Sequence, residues 1–371
     1  MKISKKAYVN NFGTISCAGT TAIELFDSIC QKKDTISIDE SYVKDREVAI
    51  GKIKSDISFN DNLKKCCEDV LLNSTLNDFK DTLLIVGSSV GGMTQTEDVF
   101  FEDKNYKRIN PKNHPIDAIA YYLKQNFSFL DDVSFSTACT SSANALGYAK
   151  EVISKNIYKN VLVVGVDSLS YTTVCGFSAL SVLSSKPCTP FDKNREGMNV
   201  SEAIAVLLIQ DEVNNSSIEL CGVGYSSDAH HMTQPHPDGN GAMNAMKNAL
   251  DNANITSKDI SYINAHGTGT QANDSAELNA ICTLFENTNV KVSSTKSITG
   301  HTLGAAGAIE GIISCEVLRN QIIPPNKSLN ELDRNEISFP LEVLSENISY
   351  VLSNSFAFGG NNTSLVFGVV K

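Results

Sequence analysis

The feature that most restricts the fold is a run with no polar side chain in it, Val161-Leu162-Val163-Val164-Gly165-Val166. A half-buried strand alternates apolar and polar residues, whereas a continuous apolar run of strand length belongs to a strand covered on both faces. Leu83-Leu84-Ile85-Val86 and residues 203–209 carry the same signal. Between these runs, residues 21–30, 61–72 and 117–127 place apolar side chains at helical spacing, with Ala22, Leu25, Phe26 and Ile29 in phase in the first. Strands alternating with helices predict a layered α/β architecture with mostly parallel sheets. Residues 7–14 read as a further extended segment, and residues 100–114 as a polar loop.

After a polar stretch at 210–217 a second series begins. Residues 242–253, 275–285 and 305–319 are helical by pattern, and 262–264, 290–293 and 366–370 extended. The similar content of the two series implies an internal duplication without a literal sequence repeat. The halves fall at 1–212 and 213–371 and form one unit, and 371 residues suffice for two substantial cores. A net charge of −11 weighs against nucleic acid or an anionic membrane surface as partner. No apolar run is long enough to span a bilayer, and none follows the basic start Met1-Lys2-Ile3-Ser4-Lys5-Lys6, so no signal peptide is expected. The ten cysteines are scattered, with no CxxC pair or zinc spacing, and read as reduced thiols of a cytoplasmic protein.

Candidate chemistry centres on Ser136-Thr137-Ala138-Cys139-Thr140-Ser141-Ser142, a small-residue turn between an extended run at 133–136 and an apolar helix carrying Ala143, Leu146, Ala149 and Val152. Cys139 stands at a helix start, where unpaired N–H groups and the helix dipole favour a thiolate and lower the thiol's pKa. The competing reading is an inert buried thiol, the commoner fate of cysteine. Two of the six histidines occupy similar strand-to-helix junctions: His266 in Asn264-Ala265-His266-Gly267-Thr268-Gly269-Thr270, and His301 in Thr299-Gly300-His301-Thr302-Leu303-Gly304. In open α/β sheets such junctions line the ligand crevice. Gly87-Ser88-Ser89-Val90-Gly91-Gly92 lacks the P-loop Lys-Ser/Thr pair and the GxGxxG spacing, and reads as a tight turn beneath a site rather than a phosphate cradle. His230, His231 and His236 lie beside Pro235 and Pro237 without helical two-ligand spacing, which argues for an irregular loop over a metal site.

Together these stretches resemble the elongating β-ketoacyl-acyl-carrier-protein synthases, type II condensing enzymes of the thiolase superfold, over nearly the whole chain. The resemblance includes Asn354-Ser355-Phe356-Ala357-Phe358-Gly359-Gly360-Asn361-Asn362. It implies a layered αβαβα fold, Cys139 as acyl acceptor, and His266 and His301 as donors to the enolate left by decarboxylation. It places the oxyanion hole at the N–H groups of Cys139 and Phe358, and makes Phe358 a gate. Lys296 and Glu310 are implied as a buried pair that positions His301 and tunes its charge state. Thr268 and Thr270 would bond a pantetheine arm, Phe177 and Asp228 would face substrate, and 228–233 would be a second gating loop. No cofactor is implied, since acyl groups arrive on the phosphopantetheine of a carrier protein. Partners implied are acyl carrier protein and a second, identical or homologous subunit such as a chain-length factor. A non-condensing partner subunit would lack the nucleophile; a papain-like hydrolase would leave the second histidine and Lys296 unexplained.

Three departures carry expectations of their own. Val200-Ser201-Glu202-Ala203 replaces a glycine-rich stretch, so close backbone approach there is not expected. Ala357 replaces a glycine, and its Cβ disfavours positive φ, which predicts a stiffer gate. The chain is shorter around 40–60, 94–125 and 180–190, which implies an altered interface, substrate or partner.

Overall fold

The computed structural model describes residues 5–370 apart from 45, 75 and 335; the basic residues 1–4 lie outside the described part. In chain order the first half contains β1 (Tyr8–Ser16), α1 (Ala22–Cys30), β2 (Ser37–Asp39), β3 (Val48–Ile50), α2 (Phe59–Leu72), β4 (Thr82–Gly87), α3 (Met93–Asp103), α4 (Asp117–Asn126), β5 (Asp132–Phe135), α5 (Ser141–Ser154), β6 (Asn160–Asp167), α6 (Tyr171–Ala179) and β7 (Ala203–Gln210). The second contains β8 (Ile218–Ser227), α7 (Asn240–Ala253), β9 (Tyr262–Asn264), α8 (Gln271–Leu284), β10 (Lys291–Ser293), α9 (Lys296–Thr299), α10 (Ala306–Asn320), β11 (Ile322–Ile323), β12 (Leu344–Ser345), β13 (Tyr350–Phe356) and β14 (Asn361–Val369).

The strand order β5-β4-β6-β7-β1 of the first half recurs in the second as β10-β9-β13-β14-β8. In both, three strands pair in parallel, the fourth runs against them, and the fifth, antiparallel to the fourth, runs with the first three. The two sets join where Tyr8 and Val9 of β1 pair with Glu219 and Ile218 of β8. Helices α5 and α10 pack on each other and touch strands of both sets, α2 and α4 cover the outer face of the first, and α7 covers that of the second with α8 against it. The result is αβαβα layering. Helix α10 is buried from Ala306 through Leu318 without interruption, as its place in the middle layer requires. Gly307 makes this possible, because a Cβ there would come within 2.6 Å of Ala143 on α5.

The expectation of mostly parallel sheets is corrected: in the described ten-stranded sheet four strand pairings are parallel and five antiparallel, and the two small sheets, β2–β3 and β11–β12, are antiparallel as well. Strands β13 and β14 are joined through 357–360, far too short for a parallel crossover. Strand β13 was hidden because Ser353, Asn354 and Ser355 are polar, although all three are buried. Strand β8 was hidden by Gly222 and Gly224, which leave room for α7; a Cβ at either would strike the carbonyls of Ala249 or Ala245. Helix α3 takes the start of the expected loop at 100–114, and it buries none of its residues, so no amphipathic period announces it. No described helix is long and apolar enough to cross a membrane.

Candidate active site

Cys139 precedes α5 by two residues. Ala138 holds φ +53°, a left-handed conformation unusual for a residue with a Cβ, and this produces the sharp turn that lifts the thiol off β5. The thiol is 8% exposed. Burial pushes it up to about 11, against the opposing pull of the Lys296 ammonium and the N–H groups of Phe358 and Cys139. The expectation that the helix start lowers this pKa is therefore corrected: desolvation outweighs the dipole, and the resting group is a thiol. The same N–H groups of Cys139 and Phe358 are the pair assigned to the oxyanion hole.

His301 follows α9 and Gly300, whose φ is +65°. Its backbone is clamped on both sides: its N–H donates to the Asn199 carbonyl at 2.6 Å, and its carbonyl accepts from Ser201 N–H at 3.0 Å. Backbone thus approaches closely along 199–201, contrary to expectation, because Gly51 and Gly300 supply the space that Ser201 takes. The Leu303 N–H donates to His301 Nδ1 at 3.2 Å, so the ring proton of a neutral imidazole sits on Nε2, which lies 3.1 Å from Cys139 Sγ.

His266 ends the β9 junction. Its ring centroid is 5.3 Å from that of His301, nearly perpendicular to it. The Lys296 ammonium donates to the His266 carbonyl at 2.6 Å and stands 3.4 Å from Nδ1, which again places the ring proton on Nε2. Burial and the ammonium hold both imidazoles well below the usual histidine range, so both are neutral at pH 7. Two neutral rings, each bearing an N–H toward one cavity, form a donor pair suited to an oxyanion.

Lys296 also bonds Glu310, with both side chains buried. Burial pushes Glu310 up to about 7 against the pull of Lys296. Of the two roles expected for this pair at His301, the positioning one is corrected, since its hydrogen bonds reach His266; the ammonium does act on the charge state of His301, which its field lowers.

A cavity of about 310 Å³ is lined by Cys139, His266, His301, Thr268, Thr270, Phe177, Phe358 and Asp228, so the expected reacting and substrate-facing residues converge. The Thr268 and Thr270 hydroxyls are 3.0 Å apart, and the Phe177 and Phe358 rings 6.0 Å. Asp228 does more than line the wall. It accepts from the Asn362 amide at 2.7 Å and from His236 N–H at 3.2 Å, and Gly359 N–H donates to the Met232 carbonyl, so the two loops at the mouth are tied together. In the loop after β13 the left-handed residues are Gly359 and Gly360, at φ +86° and +80°, and Ala357 is not among them. Among the described residues no cluster of His, Cys, Asp or Glu could hold a metal ion.

Glu277 was missed. From α8 its carboxylate accepts the N–H groups of His266 and Gly267 at 2.9 and 2.8 Å, and burial pushes it up to about 7. A carboxylate between Ala276 and Leu278, on a helix side that also carries Ala280 and Ile281, was the available signal.

A family model described as β-ketoacyl synthase, N-terminal domain, matches residues 62–214, and one described as β-ketoacyl synthase, C-terminal domain, matches 218–330. The 3-oxoacyl-[acyl-carrier-protein] synthase 2 of Coxiella burnetii (strain RSA 493 / Nine Mile phase I) is 36% identical over 319 residues, 77% of this chain and 74% of that one. The chain belongs to the β-ketoacyl synthase family of acyltransferases. The synthase of the same name from Vibrio harveyi is 34% identical over 307 residues, 76% of this chain and 74% of its own. A ketosynthase from Xenorhabdus doucetiae, solved in complex with its chain length factor, superposes with a TM-score of 0.87 at 29% identity, covering 99% of this chain and 98% of that one.

Proposed function

We propose that this β-ketoacyl synthase transfers an acyl group from a carrier-protein thioester to Cys139 and condenses it with a malonyl thioester. The observation that carries this reading is the convergence of a thiol and two neutral imidazole N–H groups in one cavity. In the first step a bond forms between Cys139 Sγ and the acyl carbon, the carrier thioester bond breaks, and the thiol proton leaves with the carrier thiol. The malonyl thioester then loses carbon dioxide. Its enolate oxygen accepts from Nε2–H of His266 and His301, and the carbanion attacks the acyl-Cys139 carbonyl. That oxyanion accepts from the N–H groups of Cys139 and Phe358 before the Cys139 thiolate is expelled and takes up a proton. Thr268 and Thr270 fit the role of pantetheine contacts, and no resident cofactor is called for by these steps.

The chain divides in this reading at 212/213 into two halves of one catalytic unit, located in the cytoplasm. Its partners are an acyl carrier protein and a second ketosynthase-like subunit. Pairing with a chain-length-factor-like subunit is favoured by the near-complete mutual coverage with the Xenorhabdus ketosynthase, whose solved complex contains one. The test is intact-protein mass spectrometry after incubation with a panel of acyl-carrier thioesters, using wild type and Cys139→Ala. An adduct on the wild type alone is expected. An equal adduct on the variant, or none on either with a homologous subunit supplied, would overturn the assignment.

A further inference from the structure

Asp167 ends β6 and is buried. Its carboxylate gathers donors from two turns that are far apart in sequence. From the turn after β4 it accepts the Ser88 and Ser89 hydroxyls at 2.6 and 2.5 Å, Ser89 N–H at 3.0 Å and Val90 N–H at 2.9 Å. From the turn after His301 it accepts Gly304 N–H at 2.6 Å. The turns meet so closely that a Cβ on Gly304 would lie 2.6 Å from Ser89 N and 2.8 Å from the carboxylate. Between His301 and Gly304, Leu303 holds φ +53°, and its N–H is the donor that fixes the His301 ring proton on Nε2.

We propose that Asp167 is a positioning residue for the condensation: by anchoring Gly304 it holds Leu303 in the conformation that fixes the His301 tautomer and points Nε2–H at the reacting centre. The inference rests on the reading of the site given above. The carboxylate also bears on the nucleophile, since its charge contributes to holding the Cys139 thiol up. An amide at 167 removes that charge and turns one acceptor into a donor facing other N–H groups.

The test combines Asp167→Asn, Asp167→Glu and Ser89→Ala, the last removing a single hydroxyl from the cluster. Two readouts need no substrate turnover: the pH midpoint of Cys139 alkylation by iodoacetamide, and the His301 tautomer from nitrogen shifts of ¹⁵N-histidine-labelled protein. The third is the rate of malonyl-thioester decarboxylation. Asp167→Asn is expected to lower the alkylation midpoint by about half a unit to one unit. It should also give a mixed His301 tautomer and slow decarboxylation about 10- to 100-fold, with KM within threefold. Asp167→Glu is expected to keep the wild-type midpoint. Should Asp167→Asn fail to fold, Ser89→Ala decides, with a several-fold loss of decarboxylation rate expected and a partial loss of the single tautomer. Wild-type tautomer and rate in the soluble variants would overturn the proposal. A shifted midpoint and tautomer with no condensation by wild type would instead leave the proposal standing and overturn the reaction assignment.

Discussion

Replacing Lys296 by Met isolates what the buried ammonium does, because methionine fills similar space without charge. The ammonium lies 3.4 Å from His266 Nδ1 and contacts Glu310, and all of these groups are buried. Two unit charges 4 Å apart interact by about 4 kcal/mol at an effective dielectric of 20, equivalent to about three pKa units. The Glu310 carboxylate cancels part of that field, and the remainder acts on the imidazoles. The ammonium lowers both histidines, so its loss raises them and they take up protons at a higher pH. It also lowers the Cys139 thiol, so its loss raises that group as well. In Lys296→Met the acid limb of the decarboxylation pH profile should therefore move upward, and the alkylation midpoint of Cys139 should rise from about 11. The rate at its optimum should fall by about 10²- to 10³-fold, because the His266 tautomer loses its donor and one oxyanion contact is compromised. Stability should fall too, by up to about 3–5 kcal/mol, less whatever protonation of Glu310 relieves. The assay is decarboxylation across pH 4–8 and alkylation across pH 8–12, the range that brackets a thiol held near 11, on folded protein. An acid limb and an alkylation midpoint that both stay at their wild-type positions would refute the electrostatic argument.

Three further outcomes are expected. Burial raises Glu277 from 4.5 to about 7, so its ionisation penalty is absent below pH 4.5 and full above pH 7; the wild type should lose about 3 kcal/mol over that window, and Glu277→Gln should lack this slope in thermal unfolding followed against pH. Gly307→Ala forces a Cβ against Ala143 and should cost about 1–3 kcal/mol by chemical denaturation, with unchanged stability contradicting the tight α5–α10 contact. Ala357→Gly should lower stability by about 0.5–1 kcal/mol and speed alkylation of Cys139 by a bulky reagent several-fold; an unchanged rate would show that the gate does not bend at this residue.

What could be read from sequence followed from the physics of burial. Val161-Leu162-Val163-Val164 announced a strand covered on both faces, and Cys139, His266 and His301 announced themselves by lying at strand-to-helix junctions, which the structure brings to one cavity. Interactions made through space were not legible. Glu277 reaches His266 from another element, and Lys296 proved to bond His266 rather than its near neighbour in sequence, His301. The sign of the Cys139 shift depended on how completely the folded chain excludes water from the thiol, which no local pattern encodes. Polar strand residues such as Asn354 mislead for a related reason: they are buried to bond one another, as Ser364 bonds Asn354.

Helix α5 carries the thiol at its start, and α10 begins just after His301; the two cross in the middle layer, α10 buried without interruption through Leu318. The spacing between nucleophile and imidazole thus rests on a helix crossing as well as on the turns that clamp His301. Amide hydrogens along α10 should exchange only when the whole molecule opens, and heat inactivation should coincide with melting instead of preceding it. The loops at the cavity mouth, tied to each other through Asp228 and Met232, can vary in side chains while that spacing, and the backbone N–H that Phe358 presents to the thiol, stay fixed. A lineage of such chains is then free to change what enters the cavity at its rim while the reacting groups stay in register at its base.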